Sequence, residues 1–308
     1  MSGYERYVKG QTPSFRLSQS DIEGFRRCPR CFFLDVKHGI SQQPSAPLTL
    51  HLAVAAQLKK EIDGFWLAGA VPPVVAEAGL DLRQFSDPAM DAWCKRTEGI
   101  SFDTGVFKVT GVIHDVWVNR DGELIVVEYK ATSRDNAVAG YRYARFDDSY
   151  RREVEIHQWL LRKNGFKVSN TAYFLYATAT QQDEFFENSL SFESNLNAYE
   201  GSTDWIDEAL EQIKLTLDNP EVPESLNECE VCTFAMNRTL VLAILGQTDE
   251  IPPTCPVCKG VMSQAIYGMP MGPPPTGFVT MGCMREMNAP DWLCENCKVD
   301  DDDYEDAA

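Results

Sequence analysis

Long apolar runs and positive charge are what this sequence has little of. No apolar run approaches the roughly 20 residues that a transmembrane helix needs, so we expect no membrane-spanning segment. The first twelve residues are polar and lack the apolar stretch of a signal peptide, which predicts a cytoplasmic, reducing compartment where disulfides do not persist. Lysine and arginine number 28 against 46 aspartates and glutamates, and the net charge of −18 argues against a non-specific basic clamp on nucleic acid.

The charge is unevenly distributed along the chain. Residues 300–308 form an acidic tail that we expect to be disordered. The segment after Lys130 has the opposite bias, with the basic residues Arg134, Arg142, Arg145, Arg151, Arg152, Arg162, Lys163 and Lys167. Such a patch could hold phosphates, or it could be a solvated helix face, and the sequence leaves both interpretations open.

Cysteine occurs in a pattern typical of metal sites. Eight of the ten cysteines form four C-x-x-C pairs, and two thiolates at this spacing can bind one tetrahedral ion. The pairs Cys28/Cys31 and Cys229/Cys232 flank the central part of the chain. We predict one four-thiolate site from them, for Zn²⁺ or an iron–sulfur cluster, against the alternative of two unrelated exposed pairs.

The two later pairs predict a separate small domain. Proline, glycine and cysteine dominate after residue 247, and such a segment needs a metal because it has little core. We predict a zinc ribbon over residues 250–299, with Cys283 able to replace one ligand; its ligands are Cys255, Cys258, Cys294 and Cys297.

Hydrophobic periodicity predicts an α/β fold. Helices are expected at residues 18–25, 49–65, 148–163 and 203–218, and strands at residues 105–110, 111–118, 123–130 and 171–177. This order predicts a mixed central sheet flanked by helices. Residues 70–100 have the composition of a variable polar stretch.

One hairpin carries the most information about function. Its two apolar runs flank Asp121-Gly122, a strong signal for a two-residue turn. With that turn, Asp115 lies opposite Glu128 at about 5 Å between Cβ atoms, and Lys130 points to the same side as Glu128. We therefore predict two carboxylates and an ammonium on one sheet face. His114 would point away from that face and has no predicted role.

These residues resemble the signature of the PD-(D/E)XK nuclease superfamily. The resemblance rests on Asp115, on Glu128-Tyr129-Lys130, and on a serine-capped helix that runs into Cys28-Pro29. More narrowly, the chain is similar to RecB-like and CRISPR-associated exonuclease domains over about residues 14–235. The resemblance implies a restriction-endonuclease-like core in which Asp115, Glu128 and the Tyr129 carbonyl hold Mg²⁺ or Mn²⁺, while Lys130 orients the attacking water.

The helix after the hairpin departs from that family. A glutamine and a tyrosine four residues apart usually occur there, and Glu153 and His157 take those positions. Residues at i and i+4 share a helix face, so both could reach the metal, and we include them among the catalytic candidates. Gln158 marks an alternative register, and an exposed Glu–His pair is the plain alternative. His51 lies where relatives carry a metal-binding histidine, but a half-buried structural histidine fits its surroundings better.

Two functions follow from these observations. The first is a metal-dependent DNA nuclease in DNA repair, recombination or defence, with a domain at residues 14–240 and with DNA and a helicase or recombination protein as expected partners. The second is a catalytically weak or inactive relative that acts as a DNA- or protein-binding module. The hairpin residues favour the first, whereas the Glu153 and His157 departures favour the second.

Overall fold

The chain forms two compact units in the computed structural model. One comprises residues 1–37 and 41–226, and the other comprises residues 38–40 and 227–308. The structure describes residues 6–41, 49–133, 141–180, 189–244, 254–255, 257–258, 260–267, 278–282 and 290–297. The acidic tail, Cys283 and Arg134 lie outside these residues. No helix in the described segments is long and apolar enough to cross a membrane.

The larger unit is a mixed α/β structure. Its described helices are α1 (Gln19–Arg27), α2 (Pro29–His38), α3 (Thr49–Leu67), α4 (Pro73–Glu77), α5 (Met90–Trp93), α6 (Tyr141–Lys163) and α7 (Asp204–Asp218). Its described strands are β1 (Phe15–Ser18), β2 (Arg83–Gln84), β3 (Ile100–Asp103), β4 (Phe107–Gly111), β5 (Asp115–Val118), β6 (Leu124–Thr132), β7 (Thr171–Ala179) and β8 (Phe192–Glu200).

These strands form two sheets. The larger has the order β2-β5-β6-β7-β8, in which β6 and β7 are parallel and the other pairs are antiparallel. The smaller has the order β1-β4-β3, with β1 parallel to β4. The predicted α/β class with a mixed sheet is therefore confirmed. The stretch predicted to be variable contains α4, β2 and α5.

Strand β6 divides the core into two layers. Leu124 and Val126 pack in a cluster with Leu160 of α6, whereas Ile125 and Val127 pack in a second cluster with Leu58 of α3. We call these two sides of β6 the α6 face and the α3 face. Fully burying one such aliphatic side chain contributes about 1.5–3 kcal/mol, so each helix is held to the sheet by its apolar stripe.

The hairpin β5–β6 differs from its predicted register by one residue. Val118 pairs with Leu124, and Asp115 pairs with Val127 rather than with Glu128. The loop contains three residues instead of two, because the Asn119 side chain accepts hydrogen bonds from the backbone amides of Asp121 (3.0 Å) and Glu123 (2.9 Å). Gly122 closes this loop at φ +72°, a left-handed conformation that glycine adopts without strain.

The smaller unit contains little regular structure in its described part. Helix α8 (Glu230–Ile244) is followed by β9 (Ser263–Tyr267), β10 (Phe278–Gly282) and β11 (Trp292–Leu293). These strands form a sheet in the order β10-β9-β11. Its described apolar cluster consists of Cys255, Met262 and Cys294, with Trp292 and Cys297 packed against it. A core of this size needs an additional constraint such as a bound metal.

Candidate functional site

Asp115 lies on the α3 face, so the prediction that it shares a sheet face with Glu128 is wrong. Paired residues of neighbouring strands point to one side, and Asp115 pairs with Val127. The buried carboxylate accepts hydrogen bonds from the indole of Trp117 (3.0 Å) and the hydroxyl of Tyr129 (2.8 Å). Lys59 of α3 lies 3.6 Å away. Burial raises the pKa of Asp115, against the opposing charge of Lys59. This carboxylate is a satisfied part of the core.

Glu128 forms the centre of a polar cluster on the α6 face. It is fully buried, and its Oε1 atom lies 3.1 Å from the Lys130 ammonium and 3.0 Å from His114 Nδ1. The prediction that His114 points away from this face is wrong, again because of the one-residue shift in register. The face therefore presents a histidine at the position where a second carboxylate was expected.

Electrostatics keep this cluster charged. Burial alone would raise the pKa of Glu128, but the charges of Lys130 and His114 hold it well below its usual range. The Glu128 charge raises the pKa of His114 above its usual value. Burial opposes the charge of Lys130, yet Glu128 and Glu153 raise its pKa above the usual range. Lys130 is therefore a cation at neutral pH.

Glu153 joins this cluster through Lys130, and His157 joins it through Gln19, a residue that the sequence did not indicate. The Lys130 ammonium donates to Glu153 at 2.8 Å. The Gln19 amide, at the start of α1, donates to Glu153 Oε1 at 2.7 Å, and its oxygen lies 2.6 Å from His157 Nε2. Glu153 and His157 both contact Gln19, as expected for residues at i and i+4 on one helix face. Gln19 had no local signal, because its contacts span more than 130 residues.

Two buried atoms in this cluster have no hydrogen-bond partner among the described residues. They are Glu128 Oε2 and His157 Nδ1. Both side chains are fully buried, and an unsatisfied buried polar atom costs about 1–3 kcal/mol. Atoms of this kind in a native structure call for a bound group, such as an ion or an ordered water.

Gln158 and His51, the other two candidates, do not belong to this cluster. Gln158 donates to the carbonyls of Ser169 (3.1 Å) and Asn170 (2.8 Å), so the alternative register is excluded. His51 is exposed on α3 rather than half-buried.

A cleft of about 200 Å³ opens beside the cluster. The residues that line it include Gln19, Arg27, Tyr150, Arg152 and Glu153. Arg152 forms a two-pronged ion pair with Glu23 (2.7 and 3.0 Å). A charged wall of this kind can receive a phosphate, provided that Arg152 exchanges its partner.

The remaining basic residues of this segment whose side chains are described do not form a free patch; the side chains of Arg142 and Arg145 lie outside the described part. Arg151 pairs with Asp148 and Lys163 with Asp207. Lys167 pairs with Glu123. The Arg162 guanidinium donates to backbone carbonyls and to Asn170 and Thr203. In the part of the segment with described side chains, the solvated-face interpretation fits better than a phosphate-binding patch.

The metal site that the family resemblance implied does not fit this structure. Mg²⁺ prefers oxygen ligands, and the two expected carboxylates, Asp115 of β5 and Glu128 of β6, project to opposite faces of the sheet. The α6 face offers a different set of donors, namely Glu128, Glu153 and His157. Apart from cysteines, no three donor atoms of the described residues were found close enough together to form a ready site. An ion here would be held by few protein ligands and several waters.

The first cysteine group consists of Cys28, Cys31, Cys229 and Cys232, and its four thiols could hold one tetrahedral metal ion. The donors suit Zn²⁺ and an iron–sulfur cluster equally.

The second cysteine group lies in the smaller unit, and its four sulfur atoms lie within 4.8 Å of one another. The Cys255 amide donates to the Gly260 carbonyl at 2.7 Å, which closes one knuckle. The Cys297 amide donates to the Cys294 sulfur at 3.4 Å in the other. A hydrogen bond from the Gly260 amide and bonds from neighbouring thiols lower the pKa of Cys258 to about 6. Thiolate, the form favoured there, is the form that binds metal.

Comparison with known proteins identifies no family. No protein-family model matches the chain, and no curated protein matches it. Among solved structures, the chain is similar to that of LHK-Exo in complex with dAMP, with 13% identity and a TM-score of 0.26. The match covers 74% of this chain and 94% of that chain. A TM-score this low supports no conclusion about fold or activity.

Proposed function

We propose that the larger unit is a nuclease domain of the PD-(D/E)XK kind, which hydrolyses DNA phosphodiester bonds on the α6 face of β6. The observation that carries the proposal is the buried Glu128, with Lys130 two residues later on the same face and 3.1 Å away. Burying this ion pair costs free energy that an apolar pair would not. The pair lies beside an open cleft, which is a feature of a reaction site rather than of a packed core.

Lys130 has a defined role in this proposal. It is protonated at neutral pH and touches both Glu128 and Glu153. A fixed ammonium in a buried site stabilises negative charge that develops on a phosphate oxygen. The Tyr150 ring, 4.1 Å from the ammonium, limits its motion on the cleft side. The cleft arginines Arg27 and Arg152 would bind the neighbouring phosphate of the strand.

A divalent cation would supply the remaining chemistry by polarising the phosphate and lowering the pKa of a bound water. The residues on this face that would hold it are Glu128 and His157, each of which has a buried atom without a partner among the described residues. We further propose the domain limits 14–240 and 250–299, with Zn²⁺ or an iron–sulfur cluster in the first cysteine group and Zn²⁺ in the second.

One observation favours a second function. His114 lies 3.0 Å from Glu128, and together with Lys130 it places two basic side chains on one oxygen of this buried carboxylate. A site neutralised in this way binds a hard cation poorly. The chain would then be a weak or inactive relative that binds DNA or a protein.

The test is cleavage of end-labelled single- and double-stranded DNA with Mg²⁺ or Mn²⁺. The wild type is compared with Lys130→Ala, and with Lys163→Ala as a matched control on the exposed side of α6. We expect cleavage by the wild type and the control and its loss in Lys130→Ala with the far-UV spectrum unchanged. Binding without cleavage by the metal-loaded wild type would support the second function instead.

A further inference from the structure

We propose that His157 is a metal ligand and that its Nδ1 atom, together with Glu128 Oε2, binds a divalent transition-metal ion of the Mn²⁺ class. The inference deepens the proposed function and rests on it for the identity of the site. It assigns the nitrogen ligand to His157 of α6 and gives the site a preference for Mn²⁺ over Mg²⁺. Gln19 is assigned as a positioning residue for His157.

The hydrogen-bond chain determines which nitrogen of His157 carries the proton. The Glu153 carboxylate accepts only, so the Gln19 amide group must face it and the Gln19 oxygen must face His157. His157 Nε2 lies 2.6 Å from that oxygen and must therefore donate. In the neutral imidazole the proton then resides on Nε2, and Nδ1 carries a lone pair.

That lone pair lies in a buried place that no described protein donor reaches. His157 is fully buried, and its Nδ1 atom has no hydrogen-bond partner. Glu128 Oε2, likewise buried and without a partner, is an acceptor too. Two acceptors of one cluster without a donor are matched by a cation, which accepts a lone pair from each.

The basic side chains of the cluster do not meet this need. Lys130 and His114 both contact the other oxygen of Glu128, Oε1. Glu153 is occupied on both oxygens, by Gln19 and Lys130. A bound ion therefore completes the cluster without displacing any of these contacts.

The donor types determine which ion fits. An imidazole nitrogen with a carboxylate oxygen suits Mn²⁺, Fe²⁺, Co²⁺ or Zn²⁺, whereas Mg²⁺ prefers oxygen donors alone. Gln19 keeps the proton of His157 on Nε2, and this strengthens metal binding at Nδ1. A residue that positions a ligating histidine typically contributes about tenfold to a hundredfold in metal affinity. We expect Mn²⁺ to bind at least about tenfold more tightly than Mg²⁺ at this site.

The experiment titrates Mn²⁺ into the full chain after both cysteine groups have been filled with Zn²⁺. Free hexaaqua Mn²⁺ is followed by its electron paramagnetic resonance signal, and Mg²⁺ is added as a competitor. The variants are His157→Gln, Glu128→Gln and Gln19→Leu, with His51→Gln on the exposed side of α3 as the matched control.

We expect one Mn²⁺ per chain in the wild type and in His51→Gln, and none in His157→Gln or Glu128→Gln. Gln19→Leu, which removes no ligand, weakens binding by about tenfold or more. Should His157→Gln fail to fold, Gln19→Leu decides. The inference is overturned if the wild type binds no Mn²⁺. It is also overturned if folded His157→Gln or Gln19→Leu binds Mn²⁺ as tightly as the wild type does.

The outcome is separable from that of the proposed function. Mn²⁺ bound through these residues without DNA cleavage would support the inference and refute the nuclease proposal. Cleavage by His157→Gln with the wild-type dependence on Mn²⁺ would support the nuclease proposal and refute the inference.

Discussion

Replacing Asp115 with alanine tests the placement of this carboxylate on the α3 face. The change removes the acceptor of the Trp117 indole (3.0 Å) and of the Tyr129 hydroxyl (2.8 Å), both in buried side chains. Each orphaned donor costs about 1–3 kcal/mol, so we expect a loss of about 2–6 kcal/mol in the free energy of unfolding. Lys59 adds little to this loss because it keeps Asp63 as a partner.

Urea unfolding followed by tryptophan fluorescence measures this effect. Asp63→Ala is the matched control, since Asp63 contacts the same lysine from a partly exposed position and should cost no more than about 1 kcal/mol. A stability of Asp115→Ala within about 1 kcal/mol of the wild type would contradict the reasoning, because an exposed catalytic carboxylate can be lost at that cost.

Three further predictions concern other parts of the molecule. Gly111→Ala should lower the melting temperature, since the new Cβ atom would lie 2.9 Å from His157 Cδ2 and from Leu160 Cδ1, and overpacking costs about 1–3 kcal/mol; an unchanged melting temperature would refute this packing. Glu128 raises the pKa of His114 above 6.5, so this pair should stabilise the fold fully below pH 6.5 and lose its contribution as pH rises through the raised pKa. The free energy of unfolding in urea should therefore fall with pH in this range, and His114→Gln should remove the fall. An unaltered pH dependence in His114→Gln would count against the pair. Cys294→Ala should remove one metal equivalent, measured by native mass spectrometry, and full metal content in that variant would exclude the second cysteine group as a metal site.

The sequence was informative about the elements because their signals are local. The capping box at Ser18 and Asp21 begins α1 as its pattern predicts, with the Ser18 amide donating to Asp21 at 2.7 Å. The apolar spacing of 49–65 and 148–163 gives α3 and α6, whose helices extend further than predicted. The edge strand β8 was missed because its side chains are mostly exposed and carry no alternation.

The candidate site was predictable only in part because it depends on register. Glu128 and Lys130 share a face through their spacing alone, and this needs no knowledge of the partner strand. The position of Asp115 depended on the loop length, and the Asn119 side chain made that loop one residue longer. A shift of one residue moves a side chain to the other face of the sheet, which exchanged Asp115 for His114.

The most direct test of the account compares DNA cleavage by Glu128→Gln and Asp115→Asn, at a temperature where both variants are folded. The account predicts that Glu128→Gln abolishes Mn²⁺-dependent cleavage while Asp115→Asn retains it per folded molecule. Loss of cleavage in folded Asp115→Asn with retention in Glu128→Gln would contradict the assignment of the reaction to the α6 face.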